Sequence, residues 1–93
     1  MPMALVRSSQ GEVHKNGETR NVSSTGVYFV ISHVVAPGSL LEFVITLPDD
    51  VSISGPVRLL CKGKATRVEI EEDALVGVAA TIERYEFMRD TVH

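Results

Sequence analysis

Between Arg20 and Gly26 the chain reads Arg-Asn-Val-Ser-Ser-Thr-Gly, and here residue types and spacing could do chemistry. Asn21 carries a donor and an acceptor on one short arm, and Ser23 a hydroxyl two residues on. A strand period would put both on one face. Gly26 would let backbone approach a ligand closely. Such a set can read the edge of a base while a nearby arginine, Arg20 first, holds a phosphate. Arg67 is a weaker candidate for that role. The same residues also make an ordinary turn, because Asn and Ser hydrogen-bond their own backbone. Local propensity leaves both readings open.

Other reactive types do not assemble into a catalytic set. A nucleophile needs a base, and the base an orienting group. Cys61 follows Leu59 and Leu60 and reads as a core thiol. Ser23 and Ser24 lack the flanking pattern of a nucleophile elbow. Glu71-Glu72-Asp73 reads as a solvated turn. His14, His33 and His93 lie far apart, without metal-ligand spacing. We therefore expect no enzyme, metal or cofactor, and a lone cysteine cannot close an intrachain disulfide.

These residues must be positioned by a small domain. Ninety-three residues allow one core, and the whole chain, 1–93, reads as one unit. The apolar content is 44% and valine is the most frequent residue, which suits pleated sheet. The net charge of −3 is no footprint for duplex DNA or RNA. Five aromatic residues, none of them tryptophan, give little for single strands to stack on. No apolar run is long enough to span a membrane and no signal segment opens the chain, so the expected location is the cytoplasm.

Polar and apolar patterning between turn residues predicts strands over residues 3–9, 12–15, 18–22, 40–47, 56–70 and 75–82, and the run 27–31, apolar on both faces, predicts a central strand covered on both sides. Ser8-Ser9-Gln10-Gly11 predicts one turn and Asn16-Gly17 a type I′ hairpin. Ala36-Pro37-Gly38-Ser39 and Pro48-Asp49-Asp50 predict further turns, and residues 52–55 a loop. In the long strand the apolar phase slips after Ala65, which predicts a bulge or bend near Gly63. Residues 83–92 predict a short helix, with Tyr85 and Met88 at helical spacing. Bent strands with internal glycines suit a small closed β-barrel.

The element Asn21-x-Ser23-x-x-Gly26, followed by Val27-Tyr28-Phe29, resembles the [Asp/Asn]-x-Ser-x-x-Gly motif of PilZ domains. Later landmarks follow in the same order: Pro37-Gly38, then Gly63-Lys64-Ala65-Thr66-Arg67-Val68, then Gly77-Val78-Ala79. The resemblance covers residues 3–87. It implies an all-β, six-stranded barrel with a short C-terminal helix. It also implies a bacterial signalling module that binds cyclic di-GMP and relays it to a partner protein or domain in motility, biofilm or polysaccharide control. Asn21, Ser23 and Gly26 would be the ligand residues, with Arg20 beside them. The family's second motif, Arg-x-x-x-Arg ahead of the first barrel strand, has no match, since Arg7 is followed four residues later by Gly11. Either that segment belongs to a longer parent protein or this domain lacks it. Loss of such a contact costs a few kcal/mol, or about two orders of magnitude in affinity. The second expectation is therefore a PilZ-type adaptor that contacts a protein and not the nucleotide.

Overall fold

A computed structural model describes residues 1–47 and 57–89. The expected turn at Pro48-Asp49-Asp50, the loop at 52–55, and His93 lie outside the described residues. Seven strands run in chain order: β1 (Pro2–Ser8), β2 (Gly11–Val22), β3 (Gly26–Ile31), β4 (Leu40–Thr46), β5 (Val57–Ile70), β6 (Val76–Thr81) and β7 (Arg84–Arg89). The order β4-β1-β2-β3-β6-β5 is closed by pairing of β4 with β5, and every pair is antiparallel. The result is a six-stranded barrel, with β7 added on β5.

The alternation that predicted the strands also fills the interior. Leu41, Phe43 and Ile45 of β4 are buried, as are Cys61, Gly63 and Ala65 of β5. Leu5, Phe29 and Val78 complete the centre with no exposed surface. The rings of Phe29 and Phe43 lie 5.8 Å apart at 39°, within the range where tilted aromatic pairs attract. Each fully buried Leu or Phe contributes about 1.5–3 kcal/mol.

Three expectations are corrected. Asn16-Gly17 is no hairpin turn but the middle of β2, with Asn16 opposite Ala4 and Gly17 opposite Met3. A side chain at Gly17 would begin 2.5 Å from the Val30 carbonyl oxygen, so the glycine serves close packing. The left-handed residue nearby is His14, at φ 54°, within a bulge of β2 opposite Val6. The turn between β1 and β2 sits at Ser9-Gln10, where the Ser8 hydroxyl accepts the Gln10 N–H at 3.2 Å.

The expected C-terminal helix is a strand over its described part. In β7, Tyr85 stands opposite Cys61 and Phe87 opposite Leu59, a period of two that wins over the spacing of Tyr85 and Met88. Residues 90–92 of that segment lie outside the described residues. The phase slip in β5 is a bulge as expected, but at Thr66: Ala65 faces Ala80 and Arg67 faces Ala79, leaving Thr66 extra. Gly63 has another task, since a side chain there would collide with the Thr81 carbonyl.

Candidate functional site

The Arg20–Gly26 element occupies the end of β2, the connection, and the start of β3. A bulge at Arg20 sets its geometry. Thr19 pairs with Phe29 and Asn21 with Tyr28, so Arg20 is the extra residue. Thr19 is thereby left inside, where its hydroxyl donates to the Met1 carbonyl at 3.1 Å. Asn21 then falls on the outer face beside Tyr28, because directly opposed residues share a face. Arg20 and Asn21 are both exposed, and neither side chain holds an ion pair or hydrogen bond among the described residues.

Ser23 is committed to the turn. Its hydroxyl accepts the N–H groups of Gly26 at 3.1 Å and Thr25 at 3.3 Å, and lies 3.3 Å from the Gly26 carbonyl, to which it donates. Its backbone N–H donates to the same carbonyl at 2.8 Å. The Thr25 carbonyl accepts the Ile82 N–H at 2.9 Å and ties the connection to the end of β6. Gly26 does not take a positive φ. A side chain there would meet the Ala80 carbonyl oxygen at 3.3 Å, so the glycine lets β3 approach β6.

The four strands carry an outer row that sequence reading saw only at its ends. Asn21 is opposite Tyr28, Tyr28 opposite Ala79, and Ala79 opposite Arg67. At about 4.8 Å per strand the row spans about 14 Å. The bulge at Thr66 is what turns Arg67 outward into it, and the Thr66 hydroxyl donates to the Ala79 carbonyl at 3.0 Å. Both ends of the row are thus aimed by one extra residue in a strand.

A charged network occupies the Arg67 side. Arg67 Nε lies 3.0 Å from Glu69 Oε1. The Tyr28 hydroxyl donates to Glu71 Oε2 at 2.5 Å, with Glu69 Oε2 at 3.4 Å. The hydrogen bond to Glu71, then desolvation, then the negative charges of Glu71 and Glu69 push the phenol up to about 12. Tyr28 therefore stays a donor at neutral pH. Gly77 opens the room for this bond, since a side chain there would collide with the phenol oxygen and the Glu71 carboxylate. Sequence reading missed the network, although its signal was present. Arg67, Glu69 and Glu71 alternate along β5 and its end, which puts them on one face.

Among the described residues a hollow of about 460 Å³ lies beside Leu60, Lys62, Glu83, Arg84, Tyr85 and Glu86, and two more lie away from the row. One, of about 210 Å³, is mainly apolar and opens at an end of the barrel between Val22, Ser23, Leu59, Cys61 and Tyr85. The other, of about 670 Å³, lies among Arg7, Leu40, Glu42, Lys62 and Arg84. Glu42 already holds Lys62 at 3.6 Å and Arg7 at 4.0 Å there. Cys61 has no exposed surface, and burial pushes its thiol up to about 11. Among the described residues no three His, Cys, Asp or Glu side chains gather as a metal site, and no helix is long and apolar enough to cross a membrane.

Comparison with models of known protein families, with curated proteins and with solved structures gives no match.

Proposed function

We propose that this domain is a PilZ-type signalling module that takes cyclic di-GMP on the outer row from Asn21 to Arg67 and relays its presence to a partner protein. One observation carries the reading: the Asn21 amide stands outward and unpartnered among the described residues, next to the exposed Arg20, at the β2–β3 junction of a closed barrel. A free amide can pair with a base edge, and a free guanidinium with a phosphate. Ala79 leaves a low floor between Tyr28 and Arg67 on which a flat base can lie.

The same geometry sets the strength. The Ser23 hydroxyl is spent on the turn and Arg67 is held by Glu69, so neither is offered without a competing bond. We expect weak binding, with a dissociation constant on the order of 100 μM. Isothermal titration of the folded protein with cyclic di-GMP tests this. Measurable heat that disappears in Asn21→Ala supports the reading. No heat at about 500 μM ligand, a concentration well above that dissociation constant, overturns it.

A second reading is favoured by that engagement of Ser23 and Arg67. The domain is then an adaptor that contacts a protein partner without the nucleotide. In that case Asn21→Ala and Ser23→Ala leave partner capture intact, and loss of capture in this pair would exclude the adaptor.

A further inference from the structure

Strand β7 pairs along one edge with β5, and among the described residues no strand pairs with its other edge. An open edge presents unpaired N–H and C=O groups to any passing strand. Proteins commonly blunt such edges with proline, a bulge, short length or charged side chains. The described part of β7 has no proline and no register shift, and its charges alternate in sign, Arg84 then Glu86. Neither side chain holds an ion pair among the described residues. Between and beyond them stand Tyr85 and Phe87, 59% and 65% exposed, with their rings edge to face at 6.3 Å. Both face the same way as Cys61 and Leu59, and Tyr85 lines the apolar hollow at the barrel end.

We infer that β7 is the contact between two copies of this chain, paired antiparallel about a two-fold axis through Tyr85. A two-fold contact repeats each pairing, so its edge must complement itself. With Tyr85 opposite Tyr85, Arg84 of each copy faces Glu86 of the other, and Phe87 faces Glu83. A slip that centres Glu86 sets the two Glu86 side chains against each other. A slip that centres Phe87 leaves Glu86 against Met88. Of these three registers, the Tyr85-centred one matches both charges and also brings the four aromatic rings together on one face. Opposed charges and opposed aromatic residues across antiparallel strands are the pairings that stabilise them. The joined sheet runs β5-β7-β7-β5, and it withdraws Tyr85 and Phe87 from water.

Sedimentation equilibrium of the whole chain from a few to a few hundred micromolar tests the contact. A reversible dimer is expected. Arg84→Glu alone and Glu86→Arg alone each put like charges together twice, and each should raise the dimer dissociation constant at least ~10-fold. The double variant Arg84→Glu with Glu86→Arg exchanges the signs and should restore the dimer. Circular dichroism checks that each exposed substitution leaves the fold in place. A monomer throughout the range overturns the proposal. So does a dimer indifferent to the single changes, or one that the double variant fails to restore, since either outcome places the contact on another surface or register.

Discussion

At the scale of single residues, Tyr28 behaves unlike its free side chain. Its phenol gives its proton to Glu71 and lies near a second carboxylate, so ionisation is opposed. The ordinary phenol value is 10.0, and in the fold it is about 12. A raised value means that the interaction's contribution to stability is fully present below pH 10 and is lost as pH rises through about 12. In a Tyr85→Phe background, Tyr28 is the remaining tyrosine, and its ultraviolet titration should centre near 12. Adding Glu71→Gln removes one negative charge and should move that midpoint towards 10. An unchanged midpoint would show that Glu71 is not the cause. Cys61 gives a second expectation at this scale. A thiol without exposed surface, and shifted to about 11, supplies little thiolate at pH 8. Iodoacetamide should label it slowly in the folded protein and rapidly in denaturant.

At the scale of elements, what decides the outcome is which role a glycine plays. Asn-Gly is the strongest short hairpin signal, yet here it lies inside β2 because Gly17 packs against the Val30 backbone. Asn16 is then an exposed strand residue, where a β-branched side chain is favoured. Asn16→Thr should hold or raise stability by up to about 1 kcal/mol, as read from the urea midpoint. In a type I′ turn the same change would be destabilising, because it forces a branched residue to positive φ. Gly63→Ala should cost about 1–3 kcal/mol, since the obstacle is Thr81 backbone that cannot swing away. These two positions show where sequence was legible. Alternation along β4 and β5 marked the inner face correctly, because one buried face imposes a period of two on any strand. The slip after Ala65 predicted a bulge or bend in β5, and the structure has the bulge. Its place, and the bulge at Arg20, depend on which residue the neighbouring strand opposes, and that is a matter of pairing, not local composition. The row from Asn21 to Arg67 was hidden for the same reason, since its members come from four strands. Over Arg84–Arg89 the expected helix is a strand, because Tyr85 and Met88 match a helical turn while Tyr85 and Phe87 match a strand, and β5 had an edge left to pair.

At the scale of the whole molecule, one core serves the entire barrel, and its margin is small. A chain of this length has a net stability on the order of 5–14 kcal/mol. Phe29 and Phe43 face each other at the centre, from strands on opposite sides of the ring order, so their contact helps keep the barrel closed. Phe29→Ala removes a fully buried ring and leaves a cavity, at a cost of about 3–5 kcal/mol. That is a large part of the margin. Urea unfolding should show a much lower midpoint with a nearly unchanged slope, because the surface exposed on unfolding is nearly the same. Phe87→Ala removes the same ring from a site already 65% exposed. Measured at a concentration below dimer formation, it should change stability by no more than about 0.5 kcal/mol, as exposed substitutions do. Measured where the dimer forms, it should also lower the apparent stability of the assembly, because a partner that binds the folded state stabilises it by mass action. Equal effects of the two substitutions at low concentration would mean that Phe87 belongs to the core, and the division between a closed interior and an uncovered aromatic edge would fail.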